Sequence, residues 1–206
     1  MSLRSAYDRH IATLCKDVEA FPWTNKDAYA GWLLNTWEYV RHTTRLTALA
    51  AARLPVTASG LHKRLLQHAA EEMEHEKLLE NDLRALGKSV DPERVLAVST
   101  AFAQCLYYQI EYLSPFALFG RVLPLEGVSA SMSRHVRERV IHAHGTGTTS
   151  FLEVHGDADP EHIEEAFDAL ANVAPAESAI IVQGMQVTTS LYQRMLSEIM
   201  TGLKGS

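Results

Sequence analysis

The sequence predicts an all-α fold: a single domain over residues 1–206, built as a bundle of about seven helices. Three observations carry this. Apolar residues recur at helical spacing along nearly the whole chain, and no segment alternates apolar and polar residues with a period of two. Capping residues and Pro or Gly also fall where the periodic runs stop.

The first helix is placed near Ser5 to Ala20, stopped by Phe21-Pro22-Trp23-Thr24-Asn25. A long second helix runs from about Lys26 to Arg53 and ends before Pro55. The third opens on Thr57 or Ser59 as N-cap and reaches Leu86, with Gly87 at the position that ends many helices. Asp91-Pro92-Glu93 reads as the start of a fourth, running towards Tyr112, with an N-cap followed by Pro in the first turn. Ser114-Pro115 restarts the chain as a fifth helix to about His142. Gly145-Thr146-Gly147-Thr148-Thr149 is a loop; it lacks the preceding strand and following Lys of a phosphate-binding loop. Asp159-Pro160-Glu161 opens a further helix to Val173, and Ala176 to about Leu203 forms the last.

Composition narrows the function. A formal charge of −6 offers nothing that attracts nucleic acid or an anionic membrane surface. No apolar run approaches the roughly 20 residues of a membrane span, and Met1 to Tyr7 has no apolar leader core. The two cysteines, Cys15 and Cys105, stand far apart, so the expectation is a reducing cytoplasm and neither a disulfide scaffold nor a thiolate metal site. Histidine is the abundant ligand type, with 10 in the chain.

Three segments place such ligands among apolar rows. In Gln67-His68-Ala69-Ala70-Glu71-Glu72-Met73-Glu74-His75, a helix brings Glu72 and His75 to the side that carries Leu65, Leu79 and Leu86, with His68 and Glu71 close by. A carboxylate and an imidazole in a core must be neutralised, paired or metal-bound. Glu74 and Glu76 read as a solvated face. In the fifth helix, Glu126 shares a row with Phe119, Val122, Leu123 and Ala130, and Gly127 allows a close approach; pairing with Arg121 or Arg134 is the ordinary alternative. The third segment is His155-Gly156-Asp157-Ala158-Asp159-Pro160-Glu161-His162. On a regular helix, His155, Asp159 and His162 fall in one stripe; equally, Asp159 could serve as the N-cap ahead of Pro160. The set Glu72, His75, Glu126, His155, Asp159 and His162 is a hard nitrogen–oxygen donor set that suits Fe(II) or Mn(II) and not a structural zinc. Three carboxylates against two divalent cations leave a small positive excess, which favours an anionic ligand.

The order Glu-x-x-His, then Leu125-Glu126-Gly127, then HxxxDxxH resembles the heme-oxygenase-like diiron oxidases, or iron-containing redox enzymes, which are related to the thiaminase-II-like and pyrroloquinoline-quinone synthase folds. The likeness extends from Phe21-Pro22 through Leu83-Arg84-Ala85-Leu86-Gly87 and Pro115 to the HxxxDxxH motif, which is its most specific part. It implies a seven-helix bundle, two irons (Fe(II)/Fe(III)) on the six ligands above, and O2 as co-substrate. It also implies oxidation of a small amino-acid-like or carboxylate-like molecule by C–H or C–C cleavage or N-oxygenation. The helix with the last three ligands is then expected to be loosely held without metal. The first ligand is Glu72, with Glu71 and His68 also in reach. Expected partners are the small-molecule substrate, an external electron donor and a second copy of the chain as a homodimer.

Tyr39, His42 and Tyr108 are the residues assigned to a substrate pocket. Haem oxygenase proper would need a haem ligand in the first helix, where His10 lacks a convincing setting. Two rivals share the fold: a metal-independent thiaminase-II-like or quinone-synthase-like enzyme, with Cys105 as nucleophile in the thiaminase type, and a non-catalytic small-molecule binding protein.

Overall fold

The computed structural model describes residues 2–203, and among these every regular element is helical. Nine α-helices appear: α1 (Leu3–Ala20), α2 (Lys26–Val40), α3 (Thr43–Arg53), α4 (Ser59–Glu71), α5 (His75–Ala85), α6 (Ala97–Tyr112), α7 (Phe119–His144), α8 (Ser150–Ala169) and α9 (Pro175–Gly202), joined by short 3₁₀ turns. None among the described residues is long and apolar enough to cross a membrane.

The count exceeds seven because two predicted helices are each broken in two. The second breaks at Arg41-His42, where neither Gly nor Pro stands. Arg121 of α7 holds this corner open, its Nη2 donating to the Tyr39 carbonyl at 3.0 Å and to Thr43 Oγ1 at 3.0 Å. The third breaks at Glu72-Met73-Glu74, and Glu74 adopts φ 69, the positive-φ non-Gly residue of the described chain. A left-handed non-Gly residue costs about 1–3 kcal/mol and persists only where its surroundings enforce it. Gly87 ends α5 as predicted, at φ 70.

Two other boundaries move. Pro92–Arg94 and Pro115–Leu118 are 3₁₀ turns ahead of α6 and α7, not the first turns of those helices. More consequentially, α8 begins at Ser150 and runs unbroken past Asp159, so Asp159 is an interior helical residue and not a cap. The start of α8 is hidden in the sequence because its cap comes from another helix. Thr149 makes no side-chain cap bond. Instead Asp82 of α5 accepts from the Ser150 and Phe151 backbone N–H groups at 2.8 and 3.0 Å and from Ser150 Oγ at 2.7 Å. A carboxylate there satisfies orphan donors and meets the positive end of the helix dipole.

The apolar interior forms two clusters. One gathers Leu14, Phe21, Trp23, Tyr29, Trp32 and Leu33 with residues of α5 to α9; the other is built around Leu46, Leu106, Leu118, Leu123, Ile181 and Met185. Helix α8 lies mainly against α7. Gly156 allows this, since a Cβ there would stand 2.9 Å from Ser133 Cβ. The close approach brings the ligand stripe of α8 over Glu126.

Candidate metal centre

Helices α4, α5, α7 and α8 deliver all six predicted ligands, and one more, to a single place. His68 on α4 and Glu72 at its C-cap are four residues apart and joined by the Glu72 N–H to His68 carbonyl bond, hence on one face. The α4–α5 break sets His75 at the first residue of α5, so Glu72 and His75 meet across a turn and not along one helix. On α8, offsets of four and seven residues keep His155, Asp159 and His162 in a stripe about 60° wide.

Two groups result, each with ligand atoms within 4.8 Å of one another: His68, Glu72, Glu126 and His162, and Glu72, His75 and His155. Glu72 belongs to both. Its Oε2 is 3.3 Å from His75 Nδ1 and 3.9 Å from His155 Nε2. His68 Nε2 is 3.3 Å from Glu126 Oε1, and His162 Nδ1 is 3.9 Å from both Glu126 Oε2 and Asp159 Oδ1. The imidazole pairs lie edge to face, His68 with His162 and His75 with His155, at centroid distances of 5.0 and 4.8 Å.

These contacts are close, yet most are not hydrogen bonds. Twelve buried side-chain polar atoms among the described residues lack a hydrogen-bond partner, and seven of them are here: both His68 nitrogens, His75 Nδ1, Glu126 Oε2, both Asp159 oxygens and His162 Nδ1. Each such atom costs about 1–3 kcal/mol. Native proteins keep few of them; His68 Nδ1 faces outward to Glu71, and the other six at one place fit atoms aimed at an ion and not at one another. The donor set, nitrogen and carboxylate oxygen without sulfur, fits iron or manganese.

The outer partners fit as well. His155 Nδ1 lies 3.1 Å from the Phe151 carbonyl one turn back, which fixes the tautomer with Nε2 free towards Glu72. Glu71 sits on the outer side of two other imidazoles, 3.7 Å from His68 Nδ1 and 3.6 Å from His162 Nε2. Arg64, 3.1 Å from Glu71, anchors it.

Charge is shared unequally. Burial would raise the Glu72 pKa, but the His155 and His75 imidazoles outweigh it and hold Glu72 well below the usual carboxylate range. Burial lowers the basicity of His68 and His155, and Glu126 and Glu72 respectively reverse that, so both imidazoles are raised. Asp159 goes the other way. Burial, then repulsion from Glu126, pushes it up to about 8. An ionised Asp159 is therefore costly until a cation joins it.

A cavity of about 110 Å³ opens from these ligands; His68, Glu72, Glu126, His155 and Asp159 form part of its wall. Of the predicted pocket residues, Tyr39 lines it. His42 does not; it stands at the α2–α3 corner, with Nδ1 3.3 Å from the Tyr107 hydroxyl. Tyr108 is 58% exposed beside Tyr112, because the inward row of α6 is Ser99, Phe102, Ala103, Leu106 and Ile110. Gly127 admits no ligand: a Cβ there would meet Ile11 and Tyr7 of α1 within 2.8 Å. Glu126 does not pair with Arg121, which forms no ion pair among the described residues. His10 is 2.9 Å from Thr189 Oγ1, and Cys105 is absent from the cavity wall.

The family model of the iron-containing redox enzymes matches residues 30–193. The chain belongs to that family. The matched stretch contains all seven site residues. No match is found among curated proteins. Three solved structures share the fold over nearly their whole length. A domain of unknown function with a heme oxygenase-like fold from Shewanella denitrificans superposes with a TM-score of 0.82 at 20% identity, covering 99% of this chain and 94% of that one. A TenA homologue from Pseudomonas syringae pv. tomato gives 0.81 at 13% identity, covering 97% and 91%. A CADD-like protein of unknown function from Nostoc punctiforme gives 0.69 at 17%, covering 96% and 94%. The chain therefore has the heme oxygenase-like fold.

Proposed function

We propose that the protein is a non-heme diiron oxidase that activates O2 to oxidise a small organic molecule. The observation that carries this reading is the gathering of six inward-facing, unpartnered buried atoms at a place where two groups of ligand residues share Glu72. His75 and His155 would hold one iron and His68, Glu126 and His162 the other, with Glu72 common to both and Asp159 joining from the same stripe of α8. Bound irons would supply the electrons for O2 reduction and a Lewis-acidic face towards the substrate.

The chain's own residues do the rest. The Phe151 carbonyl holds the His155 proton on Nδ1, and the Glu71 carboxylate, 3.7 Å from His68 Nδ1 and 3.6 Å from His162 Nε2, favours a proton on the outer side of both rings and leaves the inner nitrogens as donors. Asp159 is the carboxyl that carries a proton near neutrality and releases it as a cation binds, because burial and Glu126 hold its pKa high. Apolar cavity walls such as Val128, Met132 and Leu152 exclude water from the substrate beside the ligands.

The hydrolytic rival needs a nucleophile on the wall, and Cys105 is not there. The test is O2 uptake after anaerobic Fe(II) loading. Uptake in proportion to bound iron, faster than by free Fe(II) and lost in Glu126→Ala, is the expected result. Uptake no faster than by free Fe(II) would overturn the proposal.

A further inference from the structure

A second, smaller cavity of about 20 Å³ reaches the ligands from between α4, α7 and α8. Each helix lends it one stripe. Leu61 to His68, Phe119 to Glu126 and His162 to Ala169 each span seven residues, about 10 Å of helix axis. One end of every stripe is a ligand, so the cleft closes on His68, Glu126 and His162. These are three of the four residues in one ligand group, and His75 and His155 of the other group are absent from this wall. The larger cavity does the converse, touching His155 and Asp159 but not His162. His68, Val122 and Glu126 belong to both walls and stand between the two spaces.

Size and chemistry limit what enters. One water-sized molecule needs roughly 10–15 Å³, so the cleft suits a molecule of two or three atoms. Halfway along, the wall is Leu65, Val122 and Ala166; Leu61 and the exposed Ala169 stand at the open end. Arg64 is the guanidinium of the wall, and both its arms are taken: Nη1 pairs with Glu71 at 3.1 Å and Nη2 with Glu165 across the α4–α8 seam. It therefore has no free arm for an entering anion. With metal on His68, Glu126 and His162, water finds too few partners to settle there. A small neutral apolar molecule fits these conditions, and O2 is the one that the proposed reaction consumes.

We infer that this cleft is an entrance for dioxygen, which reaches the metal centre between α4 and α8 at its His162 end, apart from the larger cavity at the His155 end. The inference rests on the oxidase reading for what the gas does, and on the cleft alone for where it binds.

The test dissolves O2 under pressure in metal-free protein and reads the paramagnetic relaxation it causes in methyl signals. Leu65 and Ala166 of the cleft should relax faster than Leu14 and Leu33, which are buried but line neither cavity. Ala169→Phe sets a ring at the mouth from an exposed position and leaves the core unchanged. In that variant the effect should be lost at Leu65 and Ala166 and kept at Val128 and Leu152 of the larger cavity. In Fe(II)-loaded protein the same variant should slow oxidation of the iron by O2 about 10-fold, with iron uptake unchanged. Relaxation at Leu65 and Ala166 no faster than at Leu14 and Leu33 overturns the entrance, and that comparison needs no variant to fold. An effect that survives Ala169→Phe, or iron that oxidises there at the wild-type rate, overturns it too. A gas effect lost on capping, in a protein that takes up no iron, would leave the cleft in place and remove the oxidase reading instead.

Discussion

Asp82 and Asp159 are two aspartates of equal burial, 0% and 1% exposed, and opposite circumstance. Asp82 accepts three hydrogen bonds from Ser150 and Phe151 and has no further call on it. Asp159, nine residues along the helix that Asp82 caps, has both oxygens unpartnered. The first carboxylate is complete within the fold, and the second is incomplete until something binds. The difference separates a buried carboxyl group that builds the fold from one whose partners the proposed metal would supply. It also links them, since Asp82 fixes where α8 starts and hence where His155, Asp159 and His162 stand.

The largest effect should come from breaking the complete site. Asp82→Ala strands the first N–H groups of α8, and metal-free protein is expected to lose about 3–5 kcal/mol in urea unfolding. A loss no larger than that of an ordinary surface substitution would show that Asp82 does not hold α8.

Asp159→Asn should do the reverse. The raised pKa means that the native state binds the Asp159 proton more tightly than the unfolded chain does. That contribution is full below the ordinary carboxyl range and is lost as pH rises through about 8, where an unpaired charge is forced into the core. Asparagine does not titrate. The metal-free variant should therefore gain on wild type by roughly 1–3 kcal/mol as pH goes from about 6 to about 9, while its iron affinity falls. An unfolding difference that is flat with pH would count against an orphaned Asp159.

A smaller change tests the outer carboxylate. Glu71→Gln removes the charge behind His68 and His162 but leaves every inner donor, so iron affinity should fall about 10-fold, with urea stability nearly unchanged. No change in affinity would make Glu71 a solvated surface group.

The comparison also shows what a sequence of this kind conceals. Helix content, the Gly87 stop and six of the site residues are legible because each depends on local spacing. The α8 start is not legible, because Asp82 replaces the local cap from 68 residues away. For the same reason Asp159-Pro160-Glu161 imitates a helix start. The breaks at Arg41-His42 and Glu72-Glu74 carry no Gly or Pro; one is held by Arg121 from α7, and at the other Thr44 Oγ1 of α3 donates to the Glu72 carbonyl at 3.3 Å beside Glu74 at φ 69. His68 stood in view beside Glu72, four residues before it, but only the opposing Glu126 and His162 make it a donor. Tyr108 shows the reverse limit: its aromatic character marked a pocket, whereas the phase of the α6 core row turns it outward.

Anaerobic Fe(II) titration with quantification per chain measures most directly whether the unpartnered atoms around Glu72 hold the two irons proposed for them. Saturation is expected at two irons per chain in the wild type and at clearly fewer in His155→Ala, whose missing donor belongs to the Glu72–His75–His155 group. Saturation below two in the wild type, or an unchanged titration in His155→Ala, would contradict the two-iron proposal.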